Sequence, residues 1–172
     1  MQNANLSKLA SLKESIEELV TPLETAQLEV SESRKEQNGL DLIMGELTMI
    51  TLLLTNVDLN VSAGELDLIN DMRRAIYGEG VPLLTSSDYE ELSREFLHLY
   101  PKRRLTIDHL PSSIRYLLAY DQLHGTAYTE KARALFLRFA EAMVSADQNK
   151  DSVESMILMN FKDILYPPSS IE

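Results

Sequence analysis

The chain has 172 residues, enough for one domain with one core, and its 44% hydrophobic content excludes wholesale disorder. Lys and Arg number 16 against 27 Asp and Glu, a net charge of −11, which disfavours nucleic acid and anionic membrane surfaces as partners. There is no cysteine, so disulfides, thiolate catalysis and thiolate metal sites are excluded.

The N-terminus carries charges every few residues and does not read as a secretory leader. The longest uncharged stretch, Leu47 to Val57, falls short of the roughly 20 residues that a bilayer span requires. A cytoplasmic protein without membrane insertion is the expectation.

Helical periodicity dominates the chain. Leu6, Leu9, Leu12, Ile16 and Leu19 recur at spacings of three and four, the pattern of a one-faced amphipathic helix. Thr21-Pro22-Leu23-Glu24 then reads as a restart: Thr21 caps, Pro22 takes the first helical position and Glu24 closes a capping box. Residues 1–39 are therefore expected to form an N-terminal helical hairpin or arm, set against a domain over 40–172. The arm can bury its apolar face on the bundle or against a second copy as a homodimer.

Leu40 to Asn56 is the most apolar segment and is expected at the centre of the core. Ser62-Ala63-Gly64-Glu65 is a second capping box, followed by Leu66, Ile69, Met72 and Ile76 at helical spacing and by Gly78-Glu79-Gly80 as a stop. Val81–Leu84 connects to a helix that Ser87-Asp88-Tyr89-Glu90 is expected to cap. Leu110 to Leu118 and Ala132 to Met143 mark two more helices, the first ending near Gly125. Asp151-Ser152-Val153-Glu154 caps the last, which Pro167-Pro168 stops. The expectation is an all-α bundle of about eight helices with no strand.

One feature goes beyond periodicity. TNVDLNVSAGELDLINDMRRAIYG and VSADQNKDSVESMILMNFKDILYP align at an offset of 147 − 58 = 89. Asp58 meets Asp147, Asn60 meets Asn149, Ser62 meets Asp151, Glu65 meets Glu154 and Tyr77 meets Tyr166. This suggests an internally duplicated helix–acidic turn–helix unit. The shared spacing has two readings. In the first, Asp58 and Asp147 make Asx turns while Ser62 with Glu65 and Asp151 with Glu154 cap the following helices. In the second, oxygens at alternate positions of a tight turn hold a hard cation. Neither copy is an EF-hand loop. Counted from each aspartate, the sixth position is Ala63 or Ser152 rather than glycine, and the twelfth is Ile69 or Leu158 rather than glutamate.

At these turns the chain resembles the tellurite-resistance TerB-like family over roughly Leu40 to Pro167. Where that family often has Asp-Gly, this chain has Asp58-Leu59 and Asp147-Gln148. The resemblance implies an intracellular helical bundle with a stress-related role and a divalent cation, Ca²⁺ or Mg²⁺. The ligands it implies are Asp58, Asn60 and Glu65 in one copy and Asp147, Asn149, Asp151 and Glu154 in the other. A narrower likeness, over Tyr120–Thr126, Phe136–Asp147 and Phe161–Pro167, is to TerB-like segments that precede AAA-type ATPase modules. The chain has no Walker motif of its own, so such an ATPase would be its partner.

No catalytic set appears. His98, His109 and His124 form no metal-binding pair, and there is no Gly-x-Ser-x-Gly elbow or phosphate loop. His124, before Gly125, suits a helix C-terminus. Lys102-Arg103-Arg104 reads as a solvated loop, and Tyr116 and Tyr120 as core residues with their hydroxyls at the rim. The leading expectation is thus a non-enzymatic interaction module for a protein partner. The alternatives are an adaptor domain for an AAA-type ATPase and a metal-assisted hydrolase acting through the acidic turns.

Overall fold

The computed structural model describes residues 2–30, 38–55, 61–99, 110–146 and 152–167. All regular structure among them is helical: α1 (Gln2–Val30), α2 (Gly39–Thr55), α3 (Ala63–Tyr77), α4 (Ser86–Leu99), α5 (Ser112–His124), α6 (Tyr128–Ala146) and α7 (Ser152–Leu165). No helix among them is long and apolar enough to cross a membrane.

The expected break at Thr21 does not occur. One helix runs through Pro22, so the described residues hold seven helices and α1 replaces the hairpin expected within 1–39. Packing accounts for this. Leu12, Ile16, Leu19, Leu23 and Ala26 form one unbroken buried stripe on either side of the proline, and a restart would take its second half out of register. The proline lacks the N–H that would bond the carbonyl of Glu18 and is intrinsically costly in a helix interior. Glu24 does not close a box with Thr21. Its Oε1 accepts the backbone N–H of Gly39 at 3.1 Å, tying α1 to the start of α2.

α1 packs against α2, α3, α5 and α6. Lys131 pairs with Glu18, while Arg138 donates to the hydroxyls of Ser11 at 3.3 Å and Ser15 at 3.0 Å, so α6 runs antiparallel to α1. Phe136, Phe139 and Phe161 are fully buried, and α1 contributes to the same apolar cluster as α2, α6 and α7. α2, the most apolar segment, is heavily buried, with an unbroken buried run from Ile50 to Thr55, while Asp41, Gly45 and Thr48 stay exposed on its other face.

Two helices are capped from outside their own sequence. Asp121, in the last turn of α5, accepts the backbone N–H groups of Tyr128 at 3.0 Å and Thr129 at 2.7 Å and the Thr126 hydroxyl at 2.5 Å. Burial pushes its carboxyl up, but these hydrogen bonds together outweigh burial and hold it below the usual carboxylate range. Glu46 of α2 accepts the backbone N–H of Ser113 at 3.1 Å and its hydroxyl, which fixes the start of α5. Here burial outweighs the hydrogen bonds, and the Glu46 carboxyl is raised.

The cap of α4 falls two residues earlier than expected. Thr85 and Asp88 close the box, with Thr85 N–H donating to Oδ2 at 2.8 Å and Asp88 N–H to the Thr85 hydroxyl at 3.2 Å. Ser86 and Ser87 accept helical geometry, so the first Thr-x-x-Asp pair takes the role expected of Ser87 and Glu90. α5 ends as expected at His124, on a left-handed Gly125 (φ 66°, ψ 31°). His124 pairs with Glu29 of α1 at 2.6 Å and lies against the Tyr120 ring, centroid to centroid 4.3 Å.

A candidate binding cleft between α2, α3 and α4

Of the acidic residues singled out in the two turns, Glu65 is the one whose side chain is described. It is 2% exposed, and its Oε2 accepts the backbone N–H of Ser62 at 2.8 Å, while its own N–H donates to the Ser62 hydroxyl at 3.2 Å. Both halves of the expected capping box are present. Asp58, Asn60, Asp147, Asn149 and Asp151 lie outside the described residues. Glu154 falls within α7, but its side chain is likewise outside them. Among the described residues no three His, Asp or Glu side chains converge as a metal site would require.

The two helix ends that flank those turns do meet. A Cβ built on Gly64, in the first turn of α3, would lie 2.4 Å from the carbonyl oxygen of Ala146, the last residue of α6. The absence of a side chain at Gly64 lets these two backbones touch.

The described residues also enclose a cleft of about 200 Å³ between α2, α3 and α4. Periodicity explains its walls. Asp41, Gly45 and Thr48 share one face of α2; Ile69, Met72 and Arg73 share one face of α3, with Tyr77 a turn further on. Met44, Ile69 and Met72 are nearly fully buried and form the floor. Leu84 and Leu92 close the third side.

That third side is held by specific hydrogen bonds. The Asn70 amide donates to the carbonyl of Leu84 at 2.9 Å and accepts its N–H at 2.8 Å, so one side chain satisfies both backbone groups of a loop residue. Arg73 Nη2 donates to the carbonyl of Pro82 at 3.3 Å. Deeper in, the hydroxyls of Tyr89 and Thr55 lie 2.5 Å apart, and Thr55 donates to the carbonyl of Thr51 at 2.9 Å. Thr55 has one hydroxyl proton, so Tyr89 is the donor of that pair. Burial drives the Tyr89 phenol well above its ordinary value.

The rim is polar and carries both signs of charge. Tyr77 is 46% exposed there. Its phenol is raised first by burial and then by the Asp41 carboxylate, while the Arg73 guanidinium pulls it down. Asp41 and Arg73 therefore both act on one hydroxyl at the mouth of an apolar cleft. Such a site offers shape, an anion acceptor and a cation acceptor, the elements of recognition.

Nothing in the sequence singles out Asp41, Gly45 or Arg73 as site residues, and Tyr77 stands there only as the repeat counterpart of Tyr166. Two signals for them were present: a glycine in the middle of the most apolar helix, and Arg73 with Tyr77 one turn apart. Neither signal says what faces it across the fold. Compared with family models, curated proteins and solved structures, the chain matches none.

Proposed function

We propose that this chain is a non-enzymatic helical interaction module, TerB-like in kind, that works through the cleft between α2, α3 and α4. The observation that carries this reading is the cleft itself, with its apolar floor and a rim bearing Asp41, Arg73 and Tyr77. Met44 and Met72 add adaptability, because unbranched thioether side chains reshape to fit an incoming group. On the α4 side of the cleft, Tyr89, Leu92, Phe96 and Leu97 reach the core with their side chains. An AAA-type ATPase, the partner that the likeness of Tyr120–Thr126, Phe136–Asp147 and Phe161–Pro167 implies, is the first to try.

The test uses the absence of cysteine, which makes labelling site-specific. A photo-crosslinker attached at Thr48→Cys, inside the cleft, is compared with one at Glu141→Cys, exposed on α6. The reading requires an adduct with the candidate partner from Thr48 and none from Glu141. Equal adducts from both positions, or none from Thr48, would refute it.

A second reading, modulation by Ca²⁺ or Mg²⁺ held jointly by the two turns, draws support from the contact between Gly64 and Ala146. That contact sets the start of α3 against the end of α6, so the segments leaving those ends start from one place. Its ligands would be Asp58, Asn60, Asp147, Asn149, Asp151 and Glu154, with Glu65 retained as the cap. Calorimetric titration of chelator-treated protein with each metal, beside Asp58→Ala and Asp147→Ala, tests it. Binding lost in either variant sustains the reading, and absence of heat at millimolar metal ends it.

A further inference from the structure

Gly45 is the residue that the fold leaves unexplained. It sits mid-way along α2, where glycine is the least favourable residue short of proline. Gly39 and Gly64 each have a packing reason, since a Cβ at either would strike a backbone carbonyl oxygen, at 2.8 Å and 2.4 Å. A Cβ at Gly45 would meet nothing within 4 Å. Close approach of another chain segment therefore does not require this glycine. It lines the cleft on the exposed face of α2 and puts no side chain into it.

Arg73 is the second unused group. Its Nε is buried without a partner, and apart from the Nη2 bond to Pro82 its terminal nitrogens have no hydrogen-bond partner among the described residues. A guanidinium so placed has donors to spare for a carboxylate. Asp41, exposed on the opposite helix, is the complementary acceptor for a cation.

We propose that this cleft binds a free apolar α-amino acid, with its carboxylate on Arg73, its ammonium on Asp41 and its side chain over Gly45 against Met44 and Met72. This rests on the reading of the cleft as the binding face and would make the module sensitive to a metabolite. The size agrees: about 200 Å³ is below the roughly 300–1,000 Å³ of drug-sized ligand pockets. The charges select among small ligands. A plain fatty carboxylate would face Asp41 with nothing to offer it, and a simple amine would leave Arg73 unpaired. A residue within a peptide lacks at least one of the two charges.

Calorimetric titration of the full chain with leucine, methionine and phenylalanine tests the proposal, with isocaproate, isoamylamine, leucinamide and N-acetyl-leucine as single-charge counterparts. The expected result is binding of at least one amino acid, with every counterpart at least tenfold weaker. Gly45→Leu should abolish binding while the helical circular dichroism is kept. Arg73→Gln and Asp41→Asn, both at the rim, should each weaken binding at least tenfold, and they carry the test if Gly45→Leu misfolds. No heat from any of the three amino acids at millimolar concentration overturns the proposal, as does isocaproate binding equal to that of leucine. Binding indifferent to Arg73→Gln overturns it too. Crosslinking from Thr48 that succeeds while these titrations fail would leave the partner-binding face standing and remove only the amino acid.

Discussion

Alanine placed at Gly64 and at Gly45 makes one chemical change in two helices, with opposite consequences. At Gly64 the new Cβ would lie 2.4 Å from the Ala146 carbonyl oxygen, where ordinary contact begins at 3.4 Å. About 1 Å of separation is needed, and both partners are backbone, so α3 or α6 must shift. Such overpacking costs about 1–3 kcal/mol, offset in part by the roughly 0.5–1 kcal/mol that alanine gains over glycine within a helix. The net is a loss of about 1–2 kcal/mol, or a fall in Tm of roughly 2–8 °C for a domain of this size. At Gly45 the Cβ meets nothing within 4 Å, so only the helical gain remains. Its Tm should rise by roughly 1–4 °C. Unfolded-state effects are the same for both substitutions, so the difference between the variants isolates the native contact. Urea denaturation followed by circular dichroism, with thermal melts beside it, measures both. Shifts of the same sign and similar size would refute the claim that Gly64 is there for the contact with Ala146.

Four further outcomes are expected. Asp121→Ala should cost about 1–2 kcal/mol in denaturant melts by uncapping α6. Since the folded carboxyl titrates below its unfolded value of 3.8, the Asp121 contribution is present above that pH and lost as pH falls through the folded value. The variant's acid transition should be correspondingly shallower. Glu46 has the opposite sign. Its folded pKa is raised above 4.5, so its contribution is present below that pH and fades as pH rises through the folded value. Glu46→Gln should remove this decline from a stability profile recorded upward from pH 4.5. Tyr89→Phe removes the donor to Thr55 and should cost about 1 kcal/mol, seen as faster amide exchange in α4 with α6 unchanged. Pro22→Ala should stabilise the chain by about 1–3 kcal/mol, since the proline penalty within a helix is about 3 kcal/mol and is partly returned by the unfolded chain. Unchanged urea midpoints would refute this.

The sequence by itself determined what local chemistry can determine. Spacings of three and four made the chain helical, and the Ser62–Glu65 box and Gly125 marked helix ends where the structure has them. The apolar composition of α2 marked it as a helix that buries most of its length. These are short-range effects, carried by residues within a turn or two of one another.

Tertiary structure decided the rest, wherever a local preference competed with packing or a partner came from far along the chain. Pro22 signalled a break, but the buried stripe from Leu12 to Ala26 carried the helix through it. Glu24 read as half of a box with Thr21, yet its carboxylate reaches Gly39 on the next helix. Glu46 and Asp121 cap helices to which they do not belong, and no window of sequence shows a Glu on α2 meeting Ser113 on α5. The cleft is of the same kind. Asp41, Gly45 and Arg73 acquire a common role because α2 and α3 turn those faces to one space and α4 closes it, a juxtaposition that exists only in the packed fold.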